Sequence, residues 1–183
     1  MSPRRRRFSG YDWYEAPARQ PVPAEGIAAG RFGDTWWGRE WIAALERLGR
    51  SWANRLPRGR SYARAGRVVD LEVGPGRVTA GVVGTRRRPY RVEIALEAYP
   101  PEVWARALDA LAADALLVIR LLRRELPDEV GECLRAAGAD PFPRRGELET
   151  SCSCPDVANP CKHVAAVHYL LAAALDNDPF LIL

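Results

Sequence analysis

Sulfur and imidazole are scarce in this chain. Four cysteines and two histidines stand among 183 residues, and Lys162 is the only lysine beside 26 arginines. The longest mainly apolar stretch, Val164 to Leu175, is interrupted by His168. It is too short to span a bilayer, which takes about 20 apolar residues, so no membrane association is expected. No apolar segment follows the basic start Arg4–Arg7, and an export signal is therefore not expected. Four cysteines in a chain kept in the cytoplasm argue against a disulfide scaffold and for metal or thiol chemistry. H-E-x-x-H, a phosphate-binding Gly-rich loop, a nucleophile elbow, a deaminase-type signature and C-x-x-C are all missing. These gaps remove the common metalloprotease, nucleotide-hydrolase, α/β-hydrolase, base-deaminase and dithiol classes. No internal repeat is visible.

What is present suits a folded chain. The apolar share of 48% and the six tryptophans exclude global disorder. The length allows one domain, or one with a small satellite. The net charge of +4 conceals a split. Residues 1–30 carry five arginines against three acids, and residues 31–91 carry 14 arginines against five acids. Residues 92–183 hold seven arginines, one lysine and 15 acids. A basic block of about 60 residues predicts an anionic partner for that half.

Residues 1–30 read as a loose basic arm, with Arg4–Arg7 followed by Pro17, Pro21, Pro23 and Gly26. Tyr11, Trp13 and Tyr14 could tack it to the body. Trp37, Trp41, Leu45, Leu48 and Trp52 share one face of a helix over 35–54, capped by Asp34 or Thr35 and ended by Pro57. That face predicts burial against the core, with a ligand-stacking platform as the other reading. Three alternating runs follow: Val69, Leu71, Val73; Val78, Ala80, Val82; and Val92, Ile94, Leu96. They predict a three-stranded antiparallel meander. A stripe through Trp104, Leu108, Leu111, Ala115, Ile119 and Leu122 makes 101–126 helical, as one helix or as two broken near Ala113. A short helix is expected over 128–137.

The chemistry lies in Cys152-Ser-Cys154 and, after six intervening residues, Cys161-Lys-His163. Three thiolates and one imidazole suit tetrahedral Zn²⁺. Cys152 and Cys154, two apart on a strand, project to one side. Asn159-Pro160 is expected to open a helix with Asn159 as its cap, which sets Cys161 and His163 at a helix N-terminus that favours thiolate. His168 lies too far round, or too far along, the same helix to clamp one ion with either. Cys133 reads as a buried structural thiol.

C-x-C, a short loop and C-x-H opening a helix resemble the SWIM zinc finger. Phe32-Gly-Asp-Thr-Trp-Trp-Gly38, Arg58-Gly-Arg-Ser-Tyr-Ala-Arg64, Arg88-Pro-Tyr-Arg-Val92 and the closing Asp178-Pro-Phe180 extend the likeness to bacterial SWIM proteins over roughly residues 30–180. The resemblance implies zinc ligands at Cys152, Cys154, Cys161 and His163, a ββα finger, and DNA or protein as partner. It also implies a neighbouring Swi/Snf-type helicase-like ATPase. The fold class expected is α+β: the three-stranded meander packed against helices, with a C-terminal ββα-like finger. The divisions expected are an arm over 1–30, a body over 31–146 and a finger over 147–183.

Four protein ligands leave no open metal position, so a structural, non-enzymatic zinc is expected. Nucleic-acid contact, DNA favoured, is assigned to Arg58, Arg60, Tyr62, Arg64, Arg86, Arg87, Arg88, Tyr90 and Arg91. Arginine forks suit phosphates, and exposed tyrosine rings could stack on bases. The alternative is a zinc-stabilised protein–protein adaptor that uses the acidic half and the apolar Phe180–Leu183. A thiol switch at Cys152 and Cys154 is a third reading.

Overall fold

The computed structural model describes residues 18–123 and 125–182. The expectations for Arg4–Arg7, Tyr11, Trp13 and Tyr14 fall outside them. Residues 18–30 lie along the body: Gln20 donates its amide to Gly84 O at 2.8 Å, and Ile27 donates to Val68 O at 2.7 Å.

The tryptophan segment forms two helices rather than one, α1 over Trp36–Arg47 and α2 over Arg50–Arg64. The break falls at Gly49, whose φ of 136° suits glycine alone. Pro57 does not end α2 but sits inside it. A proline there costs about 3 kcal/mol. The buried face of Trp52, Leu56, Gly59, Tyr62 and Ala63 outweighs that cost. Thr35 caps α1, its hydroxyl accepting from the Gly38 amide.

The expected meander is present as β1 (Val68–Gly74), β2 (Arg77–Val82) and β3 (Tyr90–Leu96), but the sheet is larger. A fourth strand, β4 (Leu148–Cys152), pairs antiparallel with β3, and the order is β1-β2-β3-β4. β4 comes from the metal-binding segment, so the three-stranded expectation is corrected to four. In β1 the pairing shifts between Val69 and Glu72, with Asp70 at φ 51°. This bulge inserts a residue and breaks the simple alternation. Val68 stands opposite Val82, and Val73 is exposed.

Residues 101–126 form two helices, α3 (Pro101–Ala112) and α4 (Ala115–Leu122). Asp114 caps α4, accepting from the Leu116 and Leu117 amides. The restart turns the face. Ala107, Leu111 and Leu117 are buried, whereas Leu108, Ile119 and Leu122 of the expected stripe are exposed. α5 (Asp128–Ala136) follows, and α3 to α5 enclose a small second core, against which Cys133 is half-buried.

The last helix, α6 (Lys162–Asn177), is the centre of the main core, with Val164–Ala172 buried throughout. α1 and α2 pack on it from one side and the sheet from the other. α2 crosses α6 at Gly59, where a Cβ would lie 2.4 Å from the Ala165 Cβ. The 147–183 segment thus contributes a strand and the central helix to a core it shares with residues 31–96. Among the described residues no helix is long and apolar enough to cross a membrane.

Candidate metal centre

Each ligand is set by a separate local device. Cys152 ends β4, opposite Val92. Ser153 clamps the turn to β3: its amide donates to Arg91 O and its hydroxyl accepts from the Arg91 amide, both at 2.9 Å. Cys152 and Cys154 are therefore held two apart at a strand end. The loop that follows is tied back to β4, because Asn159 accepts from the Thr150 hydroxyl and donates to Thr150 O, both at 2.7 Å. Asn159 is thus a loop staple, not the expected helix cap. α6 begins at Lys162, and Cys161 occupies the cap position.

The donor atoms of Cys152, Cys154, Cys161 and His163 all lie within 4.8 Å of one another. His163 turns Nδ1 to the sulfurs, 3.8 Å from Cys152 Sγ and 3.7 Å from Cys161 Sγ. Tetrahedral bonds of about 2.3 Å to sulfur and about 2.0 Å to nitrogen give edges of roughly 3.5–3.8 Å. The arrangement fits Zn²⁺.

The thiols differ in acidity. Cys161 is pulled down, first by the hydrogen bond from the Cys152 thiol, then by His163 and the amides opening α6, against the opposing effect of burial. Cys152 is pushed up by giving that hydrogen bond and by burial, and Cys154 mainly by burial. A bound divalent cation supplies the field that lets all three ionise.

Two aromatic rings hold the ligand imidazole. Tyr90 stacks on His163 with centroids 4.8 Å apart and planes at 30°, and Tyr62 meets it edge-on at 5.4 Å. His163 Nε2 is buried with no hydrogen-bond partner among the described residues. Packing therefore orients this ring, where a metal-bound histidine more often uses a carboxylate or carbonyl. Gly84 leaves the room, since a Cβ there would lie 2.5 Å from the Tyr90 ring and 3.4 Å from His163 Nε2.

His168 is fully buried, away from the donors, between Trp52 at 4.8 Å and Trp41 at 5.8 Å. Burial alone drives it down to about 3, so it is neutral.

The nine residues assigned to nucleic acid separate. Arg58, Arg60, Arg64, Arg86, Arg87, Arg88 and Arg91 are exposed. Arg60 and Arg64, on α2, line a recess of about 600 Å³ with Glu46, Ser61 and Tyr169. Tyr62 and Tyr90 are each 3% exposed. Their rings are used up on His163 and are not platforms for bases. Sequence reasoning also missed Arg19, whose guanidinium lies over Tyr62, and Asp176, which caps α1 from the far end of α6. Neither has a local sequence signal, because each acts across the fold.

Three thiols and one imidazole enclosing a single position define a structural zinc site of the zinc-finger class. Residues 135–171 match the family model of the SWIM zinc finger, and the chain carries that finger with Cys152, Cys154, Cys161 and His163 as its metal-binding group. An uncharacterized protein of Mycobacterium tuberculosis, Rv2102, is 45% identical over 177 residues, which is 93% of this chain and 63% of that protein. The chain thus spans less than two thirds of the curated relative it matches. No solved structure matches it.

Proposed function

We propose that this chain is a non-enzymatic, zinc-stabilised accessory module that binds nucleic acid, DNA in preference, and works beside a helicase-like ATPase. One observation carries the reading. Arg58, Arg60, Arg64, Arg86, Arg87, Arg88 and Arg91 are exposed, and none makes an ion pair among the described residues. Such a surface costs self-repulsion that polyanion binding relieves. With the tyrosine rings covered, contact falls on the backbone, and sequence selectivity is weak. The four-ligand centre leaves no position for a substrate, in keeping with a non-catalytic role.

The test is affinity for labelled single- and double-stranded DNA against salt. Several phosphate contacts predict a log–log slope of roughly −0.7 to −0.9 per contact. No binding at 50 mM salt, or a flat slope, would remove the reading. The adaptor alternative draws on Leu116, Ile119 and Leu122, 64%, 50% and 81% exposed on α4. Nuclease-resistant capture of the ATPase would favour it; nuclease-sensitive capture favours shared DNA.

A further inference from the structure

Of the four cations that lie over the tyrosines packed on His163, only Arg86 belongs to an arginine run. Arg19, Arg67 and Lys162 converge on one ring, Tyr62, at 5.1, 5.7 and 5.8 Å from its centroid. The three charges therefore lie within about 12 Å of one another. Arg86 lies 5.7 Å from the centroid of Tyr90, and both tyrosines pack on His163. Among the described residues, none of the four makes an ion pair. A zinc ion with three thiolates and a neutral imidazole carries one net negative charge, which balances only one of them. Ring faces offset part of the remaining repulsion, at about 0.5–1 kcal/mol for each exposed pair. Three cations on Tyr62 and one on Tyr90 thus outnumber the single negative charge of the centre between the two rings.

We infer that Arg19, Arg67, Lys162 and Arg86 form a phosphate-binding cup over the Tyr62–His163–Tyr90 stack, so that a nucleic-acid backbone crosses the finger at the first turn of α6. This deepens the nucleic-acid reading and rests on it. The covered rings exclude base stacking, and the four cationic donors suit phosphate oxygens. Each cation reaches the metal segment through one tyrosine, except Lys162, which lies between two ligands in sequence. The cup is therefore held together by the zinc centre, and a bound backbone stabilises that centre in return.

The experiment measures binding of a fluorescent 20-nucleotide DNA, single- and double-stranded, to the full chain between 50 and 300 mM salt. Zinc content and thermal midpoint are checked for every variant. Arg19 and Arg86 are exposed, so R19A/R86A is expected to fold. It should bind about tenfold more weakly at 50 mM salt, with the slope shallower by about 1–2. R123A, at an exposed arginine closing α4 in the acidic half, should stay within twofold of the parent. K162Q should weaken binding, and K162R should restore it. Saturating DNA should also slow zinc transfer from the parent chain to a chromogenic chelator. Parent-like binding by R19A/R86A would overturn the cup while leaving the nucleic-acid reading intact, as would a chelator rate unmoved by DNA. A parent chain that binds no DNA would remove both.

Discussion

Asp176 completes the start of α1 from the other end of the core. Its carboxylate accepts from the amides of Gly33 at 2.7 Å, Asp34 at 3.0 Å and Thr35 at 3.0 Å, and from the Thr35 hydroxyl. The amides leading into the helix, its cap hydroxyl and its positive end gather on one negative charge. Asp176→Ala should therefore cost about 2–4 kcal/mol, beyond an ordinary cap, and lower the thermal midpoint by several degrees. A calorimetric midpoint within a degree of the parent would contradict this. His168 gives a second residue-scale prediction. Its folded value lies near 3, below the ordinary 6.5, so the unfolded chain takes the proton first. Stability is then full above pH 6.5 and is lost as pH falls toward 3, by about 1.4 kcal/mol per unit. Among the described residues the Trp41 and Trp52 rings pack against it, and burial is the one cause of the shift. Between pH 6 and 5, the unfolding free energy of His168→Phe should fall by about that much less than the parent's; equal falls would refute the assignment. The four metal donors were legible at this scale, because their spacing is local. Asp176 and Arg19 were not, because their partners are far away in sequence.

At the scale of elements, Gly59 shows which effect wins at a crossing. Helix propensity favours alanine over glycine by about 1 kcal/mol. A Cβ at 59, however, would meet not only the Ala165 side chain but backbone atoms, Ala165 C at 2.6 Å and Ala166 N at 2.8 Å. Backbone yields little, so overpacking dominates, and Gly59→Ala should destabilise by about 1–3 kcal/mol. A gain in stability on chemical denaturation would show that α2 stands further from α6. Gly84→Ala, pressing on Tyr90, should speed zinc loss to a chelator; an unchanged rate would separate the Tyr90 stack from the metal. Periodicity located the helices and the meander, yet misplaced their ends and faces. Pro57 was read as a stop because tertiary packing is invisible in a local window. The α3–α4 stripe failed because Asp114 restarts the helix with a new phase. A strand at Cys152 was expected within a separate ββα finger; that Leu148–Cys152 instead becomes the fourth strand of the meander depends on its pairing with β3, which no local window contains.

The whole molecule is organised around its C-terminal segment. Treated as a satellite, the finger would melt alone on zinc loss and leave the meander intact. With α6 at the centre of the core and β4 completing the sheet, the loss spreads. Zinc binding supplies apparent free energy on the order of 10 kcal/mol in small fingers, comparable to the stability of a typical domain. Chelation or Cys154→Ser should therefore move the urea transition of tryptophan fluorescence to lower concentration for the entire main core. A transition that keeps its midpoint after chelation would confine zinc to a peripheral role. The charge split was legible at this scale, but not the closing of the basic half over the zinc histidine.

Elemental analysis of the purified chain tests the account most directly. It should find one zinc per molecule in the parent and far less in Cys154→Ser. A parent free of zinc, or a variant that retains it in full, would contradict a fold built around Cys152, Cys154, Cys161 and His163.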